Sequence, residues 1–215
     1  FYPIIGLGIG FVLYTIAISL SALPPMLLSS LILVLWIWLT GGLHLDGLAD
    51  TADAWVGGFG DKERTLKIMK DPACGPIGVL SLIIVCVLKW SAIYILLEKQ
   101  DIKALILFPM LGRLVPLFLF LTTDYVREKG LGASIASHIP KMASIIVACL
   151  SLSFLAYFSW LGLGCVIISM LVLLYLRQQF IRRIGGITGD TVGASIEFIE
   201  MTAILSFVMV SFYMG

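Results

Sequence analysis

Long apolar runs separated by short polar breaks set the pattern of this chain. Residues 1–20, 26–39, 77–97, 104–121, 142–158 and 161–176, and a last run ending at Gly215, are apolar almost throughout. At about 1.5 Å per residue, runs of this kind suit helices crossing ~30 Å of hydrocarbon. The pattern predicts an all-α fold: a polytopic membrane bundle of about seven spanning helices forming one domain, residues 1–215, with a short acidic helix at one side. Gly6, Gly8 and Gly10 would let the first helix pack closely. Pro24 and Pro25 suit the start of the second, whose Trp36 and Trp38 fit an interfacial level. Residues 142–176 read as a tight helical hairpin turning at Ser159 and Trp160.

Composition supports the membrane reading, with 60% hydrophobic and 13% charged residues and a mean hydropathy of +1.08. Net charge is +1 with no basic tract, so no nucleic-acid partner is expected; the lipid bilayer is. Four cysteines, at positions 74, 86, 149 and 165, lack metal-ligand spacing and read as packing residues. The chain opens at Phe1, already hydrophobic, and a shortened amino-terminal segment is expected.

The polar breaks carry the chemistry. Asp46, Asp50 and Asp53 recur at i, i+4 and i+7, which confines them to roughly 60° of a helix face. Two carboxylates ~6 Å apart repel by roughly 3 kcal/mol at an effective dielectric of about 20. Such a stripe calls for a cation, and beside phosphate substrates the hard-oxygen choice is Mg2+. Asp190 and Glu197 repeat the i, i+7 spacing, with Gly193 and Ala194 leaving room for an ion, a phosphate or a neighbouring helix. Glu200 lies off that arc and reads as an interfacial group.

Downstream of the acidic stripe, Lys70 precedes a turn with Gly75 and Gly78 that opens a helix. Free N–H groups there can receive an anion. Arg113, in mid-span, should face protein or a wet cavity and meet a phosphate or a carboxylate. His44 lies about 160° from Asp46 and about 120° from Asp50 around the helix, which argues against direct ligation. Segments 56–73, 122–141 and 177–190 hold ten Lys/Arg, including Arg127, Lys129 and Arg182, against Lys99 and Lys103 opposite. The positive-inside bias therefore turns both acidic segments towards the cytoplasm.

The run Gly41-Gly-Leu-His-Leu-Asp-Gly-Leu-Ala-Asp-Thr-Ala-Asp53 resembles the cobalamin synthase family, the adenosylcobinamide-GDP ribazoletransferases that complete vitamin B12 assembly. So do Glu63-Arg64 and Met69-Lys70-Asp71 with Gly75 and Gly78, and Gly189-Asp190-Thr-Val-Gly-Ala194 with Glu197. The resemblance covers nearly the whole chain. It implies a Mg2+-dependent phosphotransferase in the inner membrane of a prokaryote, multi-pass, with its active site facing the cytoplasm. Its partners would be adenosylcobinamide-GDP and α-ribazole or its 5′-phosphate, with GMP released; homo-oligomerisation is left open.

On this resemblance Asp46, Asp50, Asp53, Asp190 and Glu197 would hold the metal, and Asp53 or Glu197 is the alternative general base. Lys70 and Arg113, with Arg64 or Arg182, would steady phosphate oxygens, Gly75 and Gly78 would line the substrate site, and His44 would touch corrinoid or base. Two other readings compete. A CDP-alcohol phosphotransferase is disfavoured because Asp50 stands where its arginine is expected, and its later Gly…Asp…Asp spacing is missing. An ion-coupled transporter would need two inverted halves with acids near mid-membrane.

Overall fold

The structure, a computed structural model, describes residues 2–127, 132–134, 140–158 and 160–214. Lys129 and His138 of the polar connection, and Ser159 of the expected hairpin turn, lie outside the described residues. The chain runs through α1 (Tyr2–Ser19), α2 (Pro25–Leu39), α3 (Leu43–Gly57), α4 (Lys62–Ile68) and α5 (Pro76–Glu98). A 3-10 turn (Ile102–Ile106) leads into α6 (Leu107–Thr122). Then come α7 (Lys141–Phe158), α8 (Trp160–Ile184) and α9 (Gly189–Met214).

Helix ends follow local chemistry. Pro25 occupies the first turn of α2, where a missing N–H costs nothing. Past Leu39 the backbone enters the left-handed region at Gly41 and Gly42, with φ of 64° and 70°, conformations that glycine adopts freely. Those two residues turn α3 by 86° from α2. Asp61 accepts a hydrogen bond from the Arg64 N–H at 2.6 Å and so caps α4.

Five described helices are long and apolar enough to cross a bilayer: α1, α5, the turn with α6, α8 and α9. The pair α2 and α3 passes only together, which would make six, against the seven expected. The difference lies in the expected run 142–158, which forms α7 and is not among these spans, while within the six α2 has only 15 residues and the helix continuing from it bends sharply away. With three carboxylates on α3, we read that helix as lying outside the spans.

Helices α6 and α9 form the centre, and α9 packs on α3, α5, α6 and α8. Helix α1 lies along α6 through Gly6 and Gly10. A Cβ on Gly6 would stand 2.5 Å from the Pro109 carbonyl oxygen, and one on Gly10 2.5 Å from that of Ile106. Gly8 faces open space. The two tryptophans expected at an interfacial level differ in their surroundings. Trp38 is 78% exposed, whereas Trp36 is buried with the Lys89 ammonium 4.1 Å from its ring centroid.

Helix contact at α1 and α6 yields a direct test. Gly10→Leu should cost roughly 1–3 kcal/mol through overpacking, read as a lower melting temperature of the detergent-solubilised chain, while Gly8→Leu leaves the melt unchanged. Equal melts for the two variants would contradict the α1–α6 packing.

Candidate active site

Two acidic segments far apart in sequence meet where α3 lies against the start of α9. Small residues allow the approach. A Cβ on Gly47 would fall 2.8 Å from the Asp190 carbonyl oxygen, and one on Gly193 3.3 Å from the His44 Cα. The room left by Gly193 is thus taken by a neighbouring helix, one of the three occupants anticipated. Asp46 is exposed, and Asp50 and Asp190 are half-buried. Burial, then the like charges of Asp46 and Asp190, push the Asp50 carboxyl up to about 6, against the pull of Arg127. Among the described residues one cation touches this cluster directly: Arg127 Nη2 donates to Asp190 Oδ2 at 2.5 Å.

Asp53, the third member of the stripe, points elsewhere. Its Oδ2 accepts the Gly75 N–H at 2.6 Å and its Oδ1 the Gly78 N–H at 2.8 Å. The anion expected at the start of α5 is therefore supplied by the chain itself. No Cβ fits at either glycine, since one on Gly75 would lie 2.6 Å and one on Gly78 2.4 Å from the Asp53 carboxylate.

Glu197 also parts from the cluster. Its Oε2 accepts from Lys89 Nζ at 3.0 Å, and the same ammonium reaches Glu200 Oε2 at 2.8 Å. Arg113 Nη1 bonds Glu200 Oε1. All four side chains are nearly fully buried. Arg113 thus meets a carboxylate, not solvent, and Glu200 is no interfacial group: it is enclosed and doubly paired. Lys89 was overlooked in the sequence, although a lone lysine in the apolar run 77–97 is the same signal that singles out Arg113. His44 faces this network. Burial and then the charge of Arg113 hold its imidazole down to about 4, hence neutral, and its Nδ1 is buried without a partner.

The remaining predicted cations lie outside. Lys70, Arg64 and Arg182 are exposed, and Arg64 covers the Phe59 ring at 5.0 Å. Arg183, not foreseen, donates to the Trp55 carbonyl oxygen at 3.1 Å from the same end of the molecule. Arg127 was noted only as part of a basic connection, because nothing in its local sequence links it to Asp190.

For magnesium, the donors fit in kind. The ion favours hard oxygens, takes one or two carboxylates and keeps water or phosphate in the rest of its shell. Asp46, Asp50 and Asp190 offer such oxygens, with repulsion only partly met by Arg127. Among the described residues no three His, Cys, Asp or Glu side chains converge on one point as they stand. The cluster is open, not a closed cage.

A family model described as Cobalamin-5-phosphate synthase matches residues 1–208. An adenosylcobinamide-GDP ribazoletransferase of Acinetobacter baumannii is 58% identical over 214 residues, covering 100% of this chain and 87% of the relative. Relatives with that name from Pseudomonas fluorescens and Pseudomonas savastanoi are 46% and 45% identical over 206 and 212 residues. These alignments cover 95% and 96% of this chain, and 85% of each relative. No solved structure matches the chain.

Charge at the cluster predicts a pH effect. The Asp50 carboxyl lies at about 6 in the fold against an ordinary 3.8, so the folded state holds an extra proton between those values. Stability from this group is complete below 3.8 and is lost as pH rises through about 6. Asp50→Asn should therefore melt with the wild type near pH 4 and above it at pH 7.5 without divalent cations, by roughly 2–4 °C for each kcal/mol of repulsion relieved. A gap independent of pH would contradict the arrangement. Separately, Lys89→Met strands the buried Glu197 carboxylate, leaves Glu200 to Arg113 alone and should cost about 3–5 kcal/mol, with part recovered in the double variant Lys89→Met, Glu197→Gln; a wild-type melt for Lys89→Met would exclude the buried network.

Proposed function

The chain belongs to the cobalamin-5-phosphate synthase family, and on that footing we propose that it is an adenosylcobinamide-GDP ribazoletransferase of cobalamin biosynthesis. The hydroxyl of α-ribazole, or of its 5′-phosphate, attacks the phosphorus on the cobinamide side of adenosylcobinamide-GDP. An O–P bond forms there, the bond to GMP breaks, and GMP leaves with the electron pair. The observation that carries the reading is the meeting of Asp46 and Asp50 with Asp190 at one end of an apolar bundle. Little besides phosphoryl chemistry on a strongly anionic substrate asks for acids gathered there among cations.

Asp46, Asp50 and Asp190 are the residues to hold magnesium, which when bound supplies charge shielding on the diphosphate and on the departing GMP oxygen. Asp53 and Glu197 enter as positioning groups, since each spends its carboxylate on fixed N–H donors. The hydroxyl proton then falls to the exposed cluster, not to either of them. Arg113 acts through Glu200, keeping α6 in register with α9. Lys70, Arg64 and Arg182, all exposed, draw the anionic substrate in.

Orientation follows from the same residues. Lys62 approaches Gly185, and Arg127 and Arg183 reach Asp190 and Trp55, so basic side chains gather at the acidic end. By the positive-inside bias that end faces the cytoplasm, with the chain in the cell's inner membrane.

GMP release from adenosylcobinamide-GDP, measured in detergent with α-ribazole 5′-phosphate, should require Mg2+. Removing one metal-binding carboxylate should lower it about 100-fold or more in Asp46→Asn and in Asp50→Asn. Wild-type release in both variants would rule out the acid cluster as the reacting centre.

A further inference from the structure

Among the described residues one cation, Arg127, sits inside the acid cluster, and its backbone is fixed there by pairing between remote segments. The segment following α6 runs beside the residues that precede α9 as an isolated parallel bridge between Tyr125 and Ile187. Val126 donates its N–H to the Ile187 carbonyl oxygen, and Ile187 to that of Asp124, both at 2.9 Å. Gly186 makes this possible, because a Cβ there would lie 2.2 Å from the Asp124 carbonyl oxygen. Two residues past Tyr125, Arg127 is carried over Asp190.

Its grip is incomplete. Nη2 serves Asp190 Oδ2 and reaches the Met69 carbonyl oxygen at 3.4 Å, while the buried Nε has no partner. The planar fork of a guanidinium is best used when two donors meet two oxygens of one carboxylate or phosphate. Here a single carboxylate oxygen is met, beside Asp46 and Asp50, which pair with no cation among the described residues. The side chain remains 20% exposed, open to whatever enters the cluster.

Resting on the reaction assigned above, we propose that Arg127 is a resident counter-ion of the acid cluster. It yields Asp190 to an incoming divalent cation and takes phosphate oxygens of the diphosphate with its freed fork. Charge neutrality explains the exchange: the cation replaces the guanidinium among the carboxylates, and the guanidinium moves to the negative charge that arrives with the substrate. Arg127 is thus both a competitor of the metal and a contact of the substrate.

These two roles give opposite signs in a binding experiment. With the full chain in detergent micelles, Mn2+ is titrated by electron paramagnetic resonance and GDP is then titrated at saturating Mn2+. Arg127→Gln should bind Mn2+ roughly three- to tenfold more tightly than wild type, since a competing charge is gone, and GDP about tenfold more weakly. Arg127→Lys, which keeps the charge and loses the fork, should match wild type for Mn2+ and still bind GDP several-fold more weakly.

A purely structural arginine would instead weaken Mn2+ binding when removed. Unchanged or weaker Mn2+ binding in Arg127→Gln, or wild-type GDP binding in Arg127→Lys, overturns the proposal. If those results come with Mg2+-dependent GMP release that Asp46→Asn abolishes, the reaction stands and the role of Arg127 falls. A wild-type chain that binds no Mn2+ defeats both this role and the metal in the reaction.

Discussion

Balanced charge in an apolar interior is the constraint on which the rest of this fold depends. Moving one carboxylate-sized ion from water into a medium of low dielectric carries an idealised cost on the order of 20 kcal/mol. Glu197 and Glu200 are tolerated because Lys89 and Arg113 cancel them at hydrogen-bond distance. The four residues come from α5, α6 and α9, so the requirement for neutrality is a requirement that those helices hold one relative position. Gly112 belongs to it, as a Cβ there would collide with the Glu200 side chain. Trp36 extends the tie to α2 by laying its ring under the Lys89 ammonium.

With α9 so fixed, its first turn has a defined place, and α3 is laid against it through Gly47 and Gly193. Asp53 secures the other flank of α3 by its bonds to the α5 amides. The stripe read from periodicity therefore divides its labour. Asp53 anchors, while Asp46 and Asp50 stay on the open side with Asp190. A rigid buried part and a more open part are built from residues of the same type, separated by what each carboxylate is offered to bond.

Much of this was legible beforehand. Spans were readable because apolar runs of sufficient length leave few alternatives, and the helical arc of Asp46, Asp50 and Asp53 follows from a 3.6-residue repeat. The helix-start anion at Gly75 and Gly78 was anticipated from backbone geometry, but its source was not, since Asp53 is distant in sequence. Lys89 carried a readable signal that was passed over. Arg127 carried none: its meeting with Asp190 depends on the Tyr125–Ile187 bridge, and pairing between remote segments leaves no mark in local periodicity. Glu200 was misjudged because a wheel drawn for one helix says nothing of the helices around it.

The turn at Gly41 and Gly42 reaches beyond local geometry. A helix set at 86° to the one before it lies across that helix's axis, so the side chains on one of its faces share a level at the end of the bundle. Acids on such a face are presented together at one edge of the bundle, reachable from outside it without a tunnel between the helices.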